Sequence, residues 1–273
     1  MLLAAAPWIS SLTPAVAADA VPCPPEAAEA RAVTRINGAA ALLLDDATEL
    51  RLSGVLTPSP RDVPAGASDW PPEAAARRAT EDFLADRRVR LATAAAFKDR
   101  YGRRVAHAVT DGGDPAARRW LQAALVDAGH ARVAPLPGET LCLAELFARE
   151  AVARATRSGL WSNPAYAIRS ARDTRTLMAL TGTFQIVEGW VAAIGGTRRE
   201  LFLNFGRDWR WDFTAAVDLR RLPDRDATVS RLKALEGRYV RVRGWIEKRN
   251  GPFIELAAPD VIEELPEGLS SGP

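Results

Sequence analysis

The stretch Arg51-Leu-Ser-Gly-Val-Leu-Thr-Pro-Ser-Pro60 constrains the fold of this chain more than any other. An arginine closes a strand-like apolar run. Gly54, Thr57, Pro58 and Pro60 then impose a turn, because proline cannot donate to a sheet ladder and glycine accepts backbone angles that other residues resist. About fifty residues later, Tyr101-Gly-Arg103 holds a second arginine in a tight turn.

The segments around these arginines switch between strand and helix patterns. Residues 32–56 are rich in Leu and Val, and the polar triplet Asp45-Asp46-Ala47 between two apolar runs predicts a β-hairpin. Residues 57–70 read as a loop. Pro71-Pro72-Glu73 opens a helix to about Leu84, with proline in the first turn, where its missing N–H is not needed. Val89–Leu91 and Arg104–Val109 read as strands, and Pro115–Asp127 as a helix stopped by Gly129. A short strand at 131–134 and a helix at 142–157 complete this half.

That order of elements resembles the staphylococcal nuclease (thermonuclease) family over about residues 32–166. The two arginine turns, Leu125-Val-Asp-Ala-Gly-His-Ala131 and the closing Ala153-Arg154 and Gly159-Leu-Trp161 carry the resemblance. It implies an α+β fold, a nuclease-like barrel of the oligonucleotide-binding (OB) type packed on helices. By position, Arg51 and Arg103 match the family's two phosphate-gripping arginines, and Thr57 and Pro58 match the turn between two carboxylates. The family pattern Arg-Leu-x-Gly-[Ile/Val]-Asp-x-Pro-Glu has acids where this chain has Leu56 and Ser59. Counting back from Arg51 puts Ala39 and Ala41 at the family's Asp-Gly-Asp-Thr motif.

Hydrolysis of this kind needs hard oxygen ligands for a divalent cation, a carboxylate to activate water, and arginines to stabilise charge on phosphorus. Only the arginines remain. Asp45 and Asp46 stand six and five residues before Arg51, with a chain reversal between, so they belong at the hairpin tip. The expectation is a site with no metal and no cofactor, in which Arg51 and Arg103 persist as a phosphate-binding remnant. The alternatives for the arginines are ion pairs, Arg103 with Asp99 or Asp111 and Arg51 near Glu49. The alternative for the chemistry is a working nuclease hydrolysing DNA or RNA, whose calcium ligands the sequence does not place and for which Asp62 and Asp69 are the nearby candidates.

Residues 24–166 are thus expected to form the first domain and 167–180 a linker. The texture of 181–265 is β, with strands at 184–191, 200–205, 239–246 and 253–256, a helix at 228–235 and a hairpin turn at Asn250-Gly251. Short strands with a helix before the fourth suit a second, small OB-like β-barrel domain, followed by a flexible tail at 266–273. Gly195-Gly196 reads as a hairpin turn. Arg198, Arg199, Trp209 and Trp211 combine charge and aromatic surface, as sites for single-stranded nucleic acid do. Otherwise Trp209, Trp211 and Phe213 belong to the core. Arg241 and Arg243 alternate with Val240 and Val242 and read as a solvated face.

A net charge of +2 does not by itself point to nucleic acid. The N-terminus to Ala17 is apolar, broken by Pro7 and Pro14, and ends in a small-x-small motif, which reads as a signal segment at 1–17 rather than a membrane span. The two cysteines, Cys23 and Cys142, are then expected to form a disulfide, the alternative being two buried thiols. The expected protein is exported and periplasmic, with single-stranded nucleic acid or an envelope protein as partner. A purely structural envelope role is the remaining alternative.

Overall fold

The computed structural model describes residues 23–24, 29–63, 70–85, 88–93, 98–111, 118–222 and 224–266. The expected signal segment and, apart from Pro266, the expected tail 266–273 lie outside the described residues. The first half contains β1 (Glu29–Gly38), β2 (Ala41–Leu44), β3 (Glu49–Leu52), β4 (Val55–Leu56), α1 (Pro71–Leu84), β5 (Arg88–Ala92), β6 (Arg104–Thr110), α2 (Leu121–Asp127), β7 (Arg132–Val133) and α3 (Leu143–Ala155). Strands β1-β2-β3-β6-β5 close into a barrel in which β3 and β6 run parallel. Leu42, Leu44, Leu50, Leu52, Val89 and Leu91 alternate with outward residues and fill its interior. Strand β6 is buried on both faces because its outer side lies under α2, so its sequence does not alternate.

Helix α2 begins six residues later than the proline at 115 suggests. Residues 118–120 instead extend the sheet: Thr110 N donates to Arg119 O at 2.9 Å, and Trp120 bridges to Val109. Cys23 and Cys142 form the expected disulfide, with Cα atoms 5.6 Å apart across 119 residues.

The second half contains β8 (Arg169–Ser170), α4 (Thr174–Ala179), β9 (Phe184–Trp190), β10 (Ala193–Gly196), β11 (Glu200–Asn204), β12 (Thr214–Asp218), α5 (Arg225–Lys233), β13 (Tyr239–Arg249), β14 (Gly251–Leu256) and β15 (Glu263–Glu264). Its sheet runs β10-β11-β12-β14-β13-β9-β8, with β15 on β13 and a parallel β12–β14 pair. Strands β9 and β10 are consecutive in sequence yet far apart in the sheet order. They are two arms of one strand bent at Val191-Ala192. The order, the parallel pair and the helix before the fourth strand repeat the plan of the first barrel, which is the expected OB-like arrangement.

Three expectations for this half are corrected. The segment at 167–180 is built into the sheet: β8 pairs with β9, Asp173 caps α4 by accepting from Thr176 N at 3.0 Å, and Leu177 is fully buried. Gly195 and Gly196 lie inside β10, opposite Phe202 and Leu201, and the turn falls at 197–199 instead. The Arg241/Arg243 face is not solvated. It packs on the first barrel, and the Arg243 side chain is 1% exposed.

That packing rests on two arginines. Arg243 Nη1 donates to Glu150 Oε2 at 2.9 Å and to Val133 O at 3.0 Å, while Nη2 reaches Glu263. Burial alone would lower the Arg243 pKa, but the Glu150 and Glu263 carboxylates more than offset it and hold it above its ordinary value. From the other side, Arg132 donates to Phe184 O and to Asp62 Oδ1, both at 2.8 Å.

Candidate functional site

Strand β3 sets Arg51 outward because Leu50 and Leu52 on either side of it face the barrel interior. The turn that presents Arg103 is locked by Asp99. Its Oδ1 accepts from the backbone N–H groups of Tyr101 at 3.0 Å and Arg103 at 3.1 Å, and Asp99 N donates to Arg103 O at 3.0 Å. Gly102 has φ +80°, a left-handed angle that favours glycine.

The same Asp99 joins the two arginines. Arg103 Nη2 lies 2.6 Å from Asp99 Oδ2, and Arg51 Nη1 lies 3.8 Å from that oxygen. The Asp99 side chain is 4% exposed, while about a quarter of each arginine faces solvent. Burial would raise the Asp99 carboxyl, but hydrogen bonds from the Arg103 side chain and backbone and from Tyr101 together hold it below its usual value. Burial, with Arg103 alongside, lowers the Arg51 guanidinium. Two guanidiniums against one carboxylate leave the cluster a net positive charge. A cleft of about 630 Å³ opens beside it, lined by Thr48, Glu49, Lys98, Tyr101, Arg103 and Arg104. Arg103 lines this cleft and Arg51 does not.

The four positions that resemblance makes carboxylates are occupied otherwise. Ala39 is buried in the β1–β2 turn, its carbonyl accepting from Thr80 Oγ1 at 3.0 Å. Ala41 pairs directly with Arg51 and offers only a methyl group. Leu56 pairs with Arg132 on β7, and Thr57 and Pro58 follow it in an irregular stretch. Ser59 has become a cap: its Oγ accepts from Arg61 N at 3.2 Å, and its own N donates to Asp62 Oδ2 at 2.9 Å.

The alternative ligands fare no better as a hard-cation site. Asp45 and Asp46 sit in the β2–β3 turn, where Asp45 Oδ2 accepts from Ala32 N and Asp46 Oδ1 from Thr48 N. Asp62 is 4% exposed and fully engaged by Arg132, Ser59 and the Tyr166 hydroxyl at 2.8 Å. Asp69 lies outside the described residues. Among the described residues no group of three His, Cys, Asp or Glu is placed to hold a metal ion. The residues around Arg51 therefore do not fit a calcium ion, whose shell is built from several oxygens.

On the second barrel, Trp209 and Trp211 are 52% and 71% exposed, and only Phe213 joins the core. The reading that places all three inside fails because the 205–213 loop turns Trp209 and Trp211 outward between the buried Phe205 and Phe213. Arg198 and Arg199 stand just ahead of β11, and the tryptophan loop follows its other end. That strand separates them by roughly 13 Å at about 3.3 Å per residue. Sequence adjacency suggested one surface, and the strand between makes two.

Two features escaped the sequence. Asp99 as the joint partner of both arginines was legible only for Arg103, four residues away. Arg243 carried no signal at all, since an alternating Arg-Val pattern is the same for a solvated and an interfacial face.

A search of curated proteins finds no match to this chain. Residues 49–163 match the family model described as staphylococcal nuclease homologue. That span holds both arginines and runs from β3 to the turn after α3, and it is as part of a closed five-stranded barrel that this chain carries a staphylococcal nuclease-like domain, followed by a second β unit of its own.

Proposed function

We propose that this protein binds nucleic acid through a nuclease fold that no longer hydrolyses it, in an oxidising compartment such as the periplasm. The Arg51–Asp99–Arg103 cluster carries this reading: the cationic half of the hydrolytic apparatus is kept, while Ala39, Ala41, Leu56 and Ser59 replace its acidic half. A phosphodiester finds two partly exposed guanidiniums whose shared counter-charge is one carboxylate. Among the described residues no group of three His, Cys, Asp or Glu stands there to hold a divalent cation, and the four positions that resemblance makes carboxylates carry none, groups each worth at least about 10²-fold in rate. The Cys23–Cys142 disulfide supports the compartment, because such bonds persist where thiols are not kept reduced.

The test pairs a calcium-supplemented digestion of DNA and RNA with a binding titration at several salt concentrations. The expected outcome is no cleavage, with binding that weakens as salt rises and weakens further in Arg51→Ala. Calcium-dependent cleavage lost in Arg51→Ala would refute the non-hydrolytic reading. Absence of both activities would refute the binding.

A further inference from the structure

We infer that the groove between the 205–213 loop and the β13–β14 hairpin is a second binding site, taking an unpaired nucleotide of single-stranded nucleic acid. The inference rests on the nucleic-acid reading above but places the base-recognising surface on the other barrel. The groove measures about 360 Å³ and is lined by Phe202, Asn204, Trp209, Thr214, Arg249 and Phe253.

One wall is a rigid aromatic–cation stack. The Arg249 guanidinium lies 5.5 Å from the Phe202 ring centre and 4.9 Å from that of Phe253. Glu200 orients it by two parallel hydrogen bonds of 2.7 and 2.9 Å. The other wall is Trp209, with Arg210 5.0 Å from its ring centre. On the floor, Asn204 Oδ1 accepts from Thr214 Oγ1 at 3.3 Å, which leaves the amide nitrogen to donate to a base edge.

The exposure of the tryptophans is built in. Asp208 O accepts from Trp211 N at 3.0 Å and Asp212 N at 2.9 Å, and Asp212 Oδ2 accepts from Asp208 N at 2.9 Å. The loop also lies hard against the hairpin at Gly251, where a Cβ would stand 2.6 Å from the carbonyl oxygens of Trp211 and Asp212. A loop fixed this tightly cannot fold its two indoles back onto apolar surface, and such a preorganised aromatic platform is what a stacking ligand needs.

Charge selects the ligand class and sets its length. The tryptophan loop carries Arg207 and Arg210 with Asp208 and Asp212; Asp208 lies 3.8 Å from Arg210 and Asp212 is turned onto Asp208 N, which leaves Arg207 as the loop cation with no ion pair among the described residues. Phosphates therefore approach over that loop. Farther along the same sheet face Glu200 is paired with Arg249, Asp218 with Arg220 at 2.7 Å, and Glu255 adds negative charge, so that end offers a phosphate no added positive charge. The site is consequently short: one base in the groove and a neighbouring base on Trp211. Duplex is excluded because its bases are already stacked and paired.

The experiment is an anisotropy titration of the full chain with labelled oligothymidylates of increasing length, the matching duplex, and a neutral oligosaccharide. The variants are Trp209→Ala, Trp209→Phe and Arg51→Ala, with thermal melting confirming that each is folded. Loss of one stacked base in Trp209→Ala is expected to weaken single-strand binding about fivefold or more, with Trp209→Phe close to wild type. Single-strand binding that responds to Arg51→Ala but not to Trp209→Ala would overturn this site and leave the first reading standing. No oligonucleotide binding by the wild type would overturn both. Trp209-dependent binding of the oligosaccharide alone would assign the groove to a glycan and overturn the inference.

Discussion

Arg243→Met tests whether the two barrels depend on the buried pair between them. The substitution keeps most of the side-chain volume and removes the guanidinium from a position 1% exposed, facing a Glu150 side chain that is 0% exposed. Glu150 keeps hydrogen bonds from Val133 N at 2.7 Å and Arg154 Nη1 at 3.1 Å, and Glu263 keeps Arg241 at 3.2 Å, so neither carboxylate is left wholly alone. Breaking a buried pair costs about 3–5 kcal/mol, and the surviving partners put this case near ~3 kcal/mol. For a chain of this size that corresponds to a Tm lower by roughly 6–12 °C. Urea unfolding followed by tryptophan fluorescence, with calorimetry alongside, reads both quantities. Arg243→Met/Glu150→Gln should recover a good part of the loss, because glutamine still accepts from Val133 N but carries no uncompensated charge. A loss under about 1 kcal/mol in the single variant, or no recovery in the double, would show that burial of charge at this interface is not what couples the barrels.

Two further outcomes follow from the first barrel. Intact-mass analysis should show two alkylated thiols only after reduction, and Cys23→Ser should lower stability by about 4–5 kcal/mol on the loop-closure model; full alkylation without reductant would contradict the disulfide. His107 is fully buried beside Trp120, with no hydrogen-bond partner on either ring nitrogen by geometry, although the Leu141 backbone lies near enough to favour the charged form slightly. Burial lowers its pKa from 6.5 to about 4. The unfolded chain therefore takes up a proton that the folded chain refuses, and stability falls as pH drops from about 6.5 towards 4. Between pH 7 and 5 the loss from this group is about 2 kcal/mol, and it should vanish in His107→Phe; an unchanged pH slope in that variant would rule His107 out as its source.

What the sequence determined by itself is local. Alternation of Leu42, Leu44, Leu50 and Leu52 dictates one inward face of a hairpin, Gly54 and Gly102 dictate the turns beside the arginines, and Ala41, Leu56 and Ser59 already lack the carboxylates a cation needs. Those properties depend on residue type and short spacing, which no tertiary contact alters. Tertiary structure decided everything that depends on what lies opposite. Residues 118–120 became a sheet extension because β6 offered them an unpaired edge, and 169–170 became a strand because β9 did. Arg243 and the tryptophans show the rule most plainly. An arginine in an alternating strand is buried when another domain brings it the Glu150 carboxylate and its own sheet adds Glu263, and an aromatic run is exposed when its loop is pinned with the rings outward. Neither partner is near in sequence, so burial there is a property of the assembled chain and not of the segment.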